Sequence, residues 1–288
     1  KLKHMMKNWF DIAPQGRPFV KMQGLGNHFA IVDGREQPFA PTKDEIITIC
    51  DPGVGVGAEQ LLVIEPVSAA GVGAYARVRI YNPDGPEVEA CGNATRCAAL
   101  LLFEESGLDE IGLEINFEVL NCKRDGENIS VEMGKISFDW EKIPLAHQCD
   151  TLHVDIEDDG VKDGVSVNVA NPHLVFFVDD FDAIDIVGVG DRIQKNALLP
   201  QSANIGIAEI LDNTHIKFQV YERPGVLTQA CGSGSCAVVA AARARGLITS
   251  DYAYVEMPGG VLKISYKDDT SPVMSGPAEF CYSGNLTN

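Results

Sequence analysis

Apolar residues along this chain gather in short runs broken by Gly, Pro and Asn, which predicts many strands and few helices. Phe19–Met22 and Phe29–Asp33 read as strands joined by the tight turn Gly24-Leu25-Gly26-Asn27. Thr42 to Cys50 predicts a short helix with Thr42 as its N-cap. Leu61–Glu65 and Ala76–Tyr81 are strand-like, and the second runs into the turn Asn82-Pro83-Asp84-Gly85. A helix is expected from about Gly92 to Ser106, ended by Gly107, and then strands at Leu113–Leu120 and Asn128–Met133. Further along, Val165–Val169, Leu174–Asp179, Ile207–Leu211 and His215–Tyr221 predict strands, and Gly232–Arg245 a helix stopped by Gly246.

The order of these elements repeats. YNPDGPEVEACGNATRC at Tyr81–Cys97 and YERPGVLTQACGSGSC at Tyr221–Cys236 each place a Tyr ten residues, and a Gly six, before a Cys-Gly that opens an Ala-rich helical run. GNHFAIVD at Gly26–Asp33 has its counterpart in ANPHLVFFVD at Ala170–Asp179. The pattern predicts an α+β fold of two pseudo-symmetric halves, each a mixed sheet wrapped around a central helix. The first half is expected at 17–135, with 275–288 returning to it through the strand-like Ala278–Tyr282. The second is expected at 136–274, with the join near Gly134–Leu145.

Composition narrows the function. With 288 residues, 45% hydrophobic and 22% charged, the chain has material for a substantial core. A formal net charge of -18 argues against a nucleic-acid partner, which calls for a basic face. No apolar run reaches the roughly 18–20 residues that span a bilayer. The opening residues lack the apolar stretch of a secretory signal, so the cytoplasm is the expected compartment. His4-Met5-Met6 reads as an added leader meeting a natural start, which sets 1–5 apart from the fold. Eight cysteines are too sparse for a disulfide scaffold at this length.

The chemistry is expected at the repeated Cys-Gly. A helix start presents unpaired N–H groups and a partial positive charge, which favour thiolate over thiol and bind a carboxylate. Gly92 and Gly232 let a ligand approach the backbone. Two such starts around one amino-acid carboxylate would put the α-carbon between Cys91 and Cys231, one sulfur removing a proton as the other returns one. No cofactor is needed for that, and the cysteine spacings are not those of a zinc site. A buried structural role is the alternative for any one cysteine, and is expected for Cys97 and Cys236 within the helices. Gly53-Val54-Gly55-Val56-Gly57 fits neither nucleotide fingerprint and is read as a loop presenting Glu59 and Gln60. His173, beside Pro172, is either an acid–base group or a brace for its turn. Asp155–Asp163 reads as a solvated loop.

From Lys21 to Gly284 the chain resembles diaminopimelate epimerase, through KMQGLGNHF, GVGAEQ, YNPDGPEVEACGNATRC, ANPH, NIG, YERPG and ACGSGSCA in the family's order. The resemblance implies a cofactor-independent epimerase that interconverts LL- and meso-2,6-diaminopimelate, a lysine and cell-wall precursor. It implies that Cys91 donates and Cys231 accepts a proton when the LL isomer is consumed. Gly92, Asn93, Gly232 and Ser233 would hold the reacting carboxylate through backbone N–H groups. Asn27, Gln60, Asn82, Asn171, Asn204, Glu222 and Arg223 match substrate-binding positions, and Arg223 suits the distal carboxylate. Several positions depart from the family's usual pattern: His28 and Glu59 where Asp is general, Pro224 for Gly, Val226-Leu227 for Gly-Glu, and Gln229 for an apolar residue.

Other readings keep the fold or abandon it. A racemase of another amino acid, or an isomerase of an unsaturated acid, would use the same two thiols. A thiol hydrolase or transferase would need one Cys and a His. A binding module would hold an amino acid unchanged. The expected partner is the small-molecule substrate, with neither nucleic acid nor membrane, and the reading is compatible with a homodimer.

Overall fold

A computed structural model describes residues 16–88, 91–268 and 270–286. Residues 1–5, expected to stand apart from the fold, and Ala90 of the first Ala-Cys-Gly lie outside that range. The described chain packs as two compact units: one holds the residues up to Glu132 together with those from Ser275 on, the other Met133–Met274.

In the first unit the strands are β1 (Arg17–Gly24), β2 (Asn27–Asp33), β3 (Gln60–Glu65), β4 (Ala76–Tyr81), β5 (Glu110–Ile115), β6 (Glu118–Asp125), β7 (Asn128–Glu132) and the late β16 (Glu279–Leu286). They lie in the order β16-β1-β2-β3-β4-β5-β6-β7. β2 with β3 and β4 with β5 pair in parallel, while β1–β2 and β3–β4 are antiparallel. Leu25 and Gly26, with φ of 57° and 80°, close the β1–β2 hairpin in two residues, the turn that follows the sheet's own twist. Between β2 and β3, helix α1 (Lys43–Cys50) starts on a capping box of Thr42 and Glu45. Helix α2 (Gly92–Ser106) packs against β1 through β7, and Gly107 ends it in the left-handed region at φ 73°. Nearly every α2 residue from Gly92 to Phe103 is buried, as expected of a helix enclosed by its sheet.

The second unit repeats the plan. β8 (Val165–Asn168), β9 (Pro172–Phe177), β10 (Asn204–Asp212), β11 (His215–Glu222), β13 (Tyr252–Met257), β14 (Gly260–Asp268) and β15 (Ser271–Gly276) run in the order β15-β14-β13-β11-β10-β9-β8, with the two-residue β12 (Val226–Leu227) on β11. β9–β10 and β11–β13 are parallel and β10–β11 antiparallel, the alternation seen at β2–β3, β4–β5 and β3–β4. Helix α4 (Gly232–Ala244) is the enclosed one, and small residues such as Ala237 and Ala240–Ala242 let the sheet approach it closely. Helix α3 (Ile186–Ile193) covers the outer side with Ile186, Val189 and Ile193 in a core with Leu174, Phe176 and Tyr221.

Three expectations need correcting. Leu113–Leu120 is not one strand but the end of β5 and the start of β6, folded back at Asn116-Phe117, where both φ angles are positive. Asp155–Asp163 is more than a solvated loop. Ile156 and Val161 are buried in the core while Asp158 pairs with Arg192 and Asp163 with Arg245. The stretch 252–276, to which the apolar pattern assigned no element, forms three strands.

Candidate active site

Each unit carries some of the residues that the sequence marks as candidates. In the first unit, Asn27 opens β2 and Gln60 opens β3, side by side in a parallel pair whose register sets Phe29 opposite Gln60. Asn82 follows the end of β4, and Gln60 Nε2 donates to its Oδ1 at 3.1 Å. Cys91 is the N-cap of α2, with Gly92 and Asn93 as the first helical residues. The Asn27 carbonyl oxygen lies 3.9 Å from Cys91 Sγ and accepts from Asn93 Nδ2 at 3.3 Å. The Asn27 amide nitrogen donates to Glu59. Asn93 Oδ1 in turn accepts from Arg96 Nη2 at 3.0 Å. These contacts bring Asn27, Cys91 and Asn93 together. Gln60 and Asn82 form a second pair nearby in sequence.

In the second unit the corresponding residues again stand at strand ends. Asn204 opens β10 opposite His173 of β9, and Glu222 ends β11. Asn171 Oδ1 lies 2.8 Å from His173 Nε2, which lies 3.5 Å from Asn204 Nδ2. Asn204 Oδ1 accepts from the backbone N–H of Arg223 at 3.0 Å, tying the end of β11 to the start of β10. The Arg223 guanidinium donates to the carbonyl of Gln201 at 3.0 Å. Glu222 accepts from the Thr228 hydroxyl at 2.7 Å. His173 is fully buried, and burial, aided by the charge of Arg223, holds its pKa down to about 3. It is therefore neutral at ordinary pH.

Cys231 is the N-cap of α4, matching Cys91 on α2. Its Sγ accepts from the Gly234 N–H at 3.3 Å and lies 3.5 Å from the Ser233 hydroxyl, while its own N–H points to Met257 Sδ at 3.4 Å. A Cβ on Gly234 would sit 3.2 Å from that sulfur, so glycine lets the helix start close on it. Gly232 and Ser233 are the next N–H groups of the same turn. The expected lowering of a thiol pKa at a helix start fails for Cys231. Burial first, then the negative charge of Glu222 and a hydrogen bond with it, push the thiol well above its usual value. Ser233 and the Gly234 N–H pull the other way and are outweighed.

Of the remaining cysteines, Cys50, Cys97, Cys122 and Cys236 are buried, Cys149 is half-buried and Cys281 is exposed. All eight are thiols; Cys97 and Cys236 are buried inside the helices, and burial raises Cys50 to about 11 and Cys122 to about 12. Among the described residues no group of three or more His, Cys, Asp or Glu could hold a metal ion. No helix there is long and apolar enough to cross a membrane. Sequence reasoning passed over Arg96 and Met257, which contact the site residues from within the core. Arg96 carried one signal, a charge in an otherwise apolar helical run; Met257 carried none.

Of the departures from the usual family pattern, two meet. His28 Nε2 lies 3.9 Å from the Glu59 carboxylate. Val226 and Leu227 are largely exposed on β12, opposite Glu222 and Tyr221. Nothing in the structure explains Gln229.

The family model and the curated relatives agree on one family. The family model described as diaminopimelate epimerase matches residues 19–138 and 165–281. The chain is 41% identical to the diaminopimelate epimerase of Rhodospirillum centenum, over 94% of this chain and 92% of that protein. It is 40% identical to that of Phenylobacterium zucineum, over 95% and 99%. Among solved structures, a phenazine biosynthesis protein of the PhzF family from Bacillus anthracis shares the fold at a TM-score of 0.69 and 14% identity, covering 96% of this chain and 100% of its own.

Proposed function

The chain belongs to the diaminopimelate epimerase family, a family of isomerases, and from that premise we propose that it interconverts LL- and meso-2,6-diaminopimelate by proton exchange between two cysteines. The observation that carries this reading is the equivalence of Cys91 and Cys231: each is the N-cap of the one enclosed helix of its unit, followed by Gly.

In this mechanism the two sulfurs address opposite faces of the substrate's α-carbon. Cys231, as thiolate, removes the proton of the LL isomer, and the thiol of Cys91 delivers one to the other face. The return reaction exchanges the roles. Backbone N–H groups at Gly92, Asn93, Gly232 and Ser233 hold the reacting carboxylate, and the helix starts stabilise the charge that develops on it. No cofactor enters the scheme. Arg223 binds the distal carboxylate as a planar fork, with Asn27, Gln60, Asn82, Asn171 and Asn204 supplying neutral hydrogen bonds to the remaining polar atoms.

The raised thiol of Cys231 needs a local base, and Glu222 is the group hydrogen-bonded to it. Moving the proton from sulfur to the Glu222 carboxylate leaves one negative charge on the pair before and after, so no new charge is buried in the step. His173, neutral and hydrogen-bonded to Asn171, orients that amide toward substrate. The cytoplasm, where thiols stay reduced, is the compartment that suits this chemistry, and the reading is compatible with a homodimer.

The test is incubation of each isomer in heavy water with the wild type, Cys91→Ala and Cys231→Ala, followed by chiral analysis. The wild type is expected to convert both isomers with deuterium at the α-carbon. Each variant should lose conversion by about 10²–10⁴-fold. Cys231→Ala should still wash deuterium slowly into the meso isomer alone, and Cys91→Ala into the LL isomer alone. Equal wash-in of both isomers by either variant overturns the assignment of one base to each face.

A further inference from the structure

The contacts around Cys91 form a chain with one direction. Arg96 Nη2 donates to Asn93 Oδ1 at 3.0 Å, Asn93 Nδ2 donates to Asn27 Oδ1 at 3.3 Å, and Asn27 Nδ2 donates to Glu59 Oε2. An asparagine amide can present either end to a neighbour, so a pair of them alone has two arrangements. Here the ends of the chain remove the choice. Arg96 is a donor only, and its side chain is fully buried, with Nε fixed on the carbonyl of Pro277 at 3.2 Å. Glu59, as a carboxylate, is an acceptor only, and His28 stands 3.9 Å from its other oxygen. The nitrogen of Asn27 must face Glu59, the oxygen of Asn93 must face Arg96, and the two amides then join in the only sense left.

That sense aims an oxygen, not an N–H, at the sulfur: Asn27 Oδ1 lies 3.9 Å from Cys91 Sγ. A carbonyl oxygen accepts from S–H and repels S⁻, whereas an amide N–H in its place would do the reverse. We propose that Arg96 and Glu59 are positioning residues that lock Asn27 with its oxygen toward Cys91 and so hold that thiol protonated, as the donor, until substrate arrives. The proposal deepens the reading of Cys91 as the proton donor and rests on it. It also gives Glu59, one of the departures from the usual family pattern, a requirement that can be stated: a carboxylate of either length can only accept and so imposes the sense, whereas an amide can present either end and does not.

Glu59 is half exposed, so substituting it puts the relay at stake and leaves the fold intact. Glu59→Gln puts an amide that can donate or accept beside Asn27, which removes the constraint from that end and leaves the lock to Arg96 alone; Glu59→Asp keeps the acceptor-only group. The readout is capture of Cys91 by iodoacetamide as a function of pH, followed on the Cys91 peptide by mass spectrometry, so that other thiols do not contribute. Loss of one hydrogen bond to the thiol form should move the capture midpoint of Glu59→Gln about 0.5–1 pH unit lower than wild type. Glu59→Asp should return it. Alongside, kcat for LL to meso should fall several-fold in Glu59→Gln with KM little changed, and recover in Glu59→Asp. An unmoved midpoint in Glu59→Gln, or the same shift in Glu59→Asp, overturns the relay. A wild-type protein that leaves diaminopimelate untouched overturns the functional reading instead, and the capture midpoints still decide the relay.

Discussion

His173 is fully buried, uncharged and hydrogen-bonded to the amide of Asn171. Its folded pKa of about 3 lies below the ordinary 6.5, so the unfolded chain takes up a proton that the folded chain refuses. The stabilisation is complete above pH 6.5 and drains as pH falls from there toward 3, by up to about 1.4 kcal/mol per pH unit. Urea denaturation of the wild type should therefore show a falling midpoint over that window. His173→Gln, which cannot titrate, should be less stable at pH 7 and lose less on acidification. Equal acid slopes in both proteins would mean that other groups carry the effect. The residue scale is also where sequence and structure agree most closely. Both Cys-Gly pairs were legible because helix starts have a recognisable grammar, and Thr42 was legible for the same reason. The raised pKa of Cys231 was not, since it depends on burial and on Glu222, nine positions away along the chain but beside it in space.

At the scale of elements, the departures have definite causes. Helix α3 was invisible because IVGVGDRI carries two glycines, which disfavour helix. Packing demands them. A Cβ on Gly190 would lie 2.6 Å from the ring of Tyr221, and one on Gly188 would lie 2.2 Å from the Asp185 carboxylate that caps the helix. Gly190→Ala should raise intrinsic helix propensity and still destabilise the protein by about 1–3 kcal/mol, because Tyr221 must move. Chemical denaturation reads the first effect. A fall in activity beyond the stability loss would show strain passing from Tyr221 to its neighbour Glu222; a more stable Gly190→Ala protein would refute the packing account. The misread hairpin at Asn116-Phe117 has another cause. Phe117 at φ 67° is a residue whose type gives no hint of a turn, and it lies exposed with Arg77 over its ring. By contrast β13 was there to be read, since buried Ala253, Val255 and Met257 alternate with more exposed neighbours.

For the molecule as a whole, the buried thiols set an alkaline limit. Burial raises Cys50 to about 11 and Cys122 to about 12, and lifts Cys97 and Cys231 as well. Unfolding lets each ionise near its ordinary 9.0, so below that pH the stabilisation is intact, and above it every unit costs up to about 1.4 kcal/mol for each such thiol. The melting temperature should drop steeply between pH 9 and 11, and Cys122→Val should remove part of that slope. A flat profile would show that the thiols are reached by solvent in the folded state. The two-unit plan itself was legible because a duplicated sequence leaves its period in the chain, whereas residues 252–276 and α3 carried no repeated landmark.

β1, near the beginning of the chain, finds its outer neighbour in β16, and Gln23 reaches Glu279 across 256 residues. Pro277, just ahead of β16, is also where the Arg96 guanidinium is anchored. On a ribosome, which releases residues in order, the strands of Met133–Met274 are all available before β16 exists. The unit that holds β1 must therefore wait with the β1 edge of its sheet open, and with the Pro277 carbonyl not yet in place for Arg96, until the second unit has been made. β1 pairs with β2 soon after both are made, but gains its second neighbour only when β16 follows.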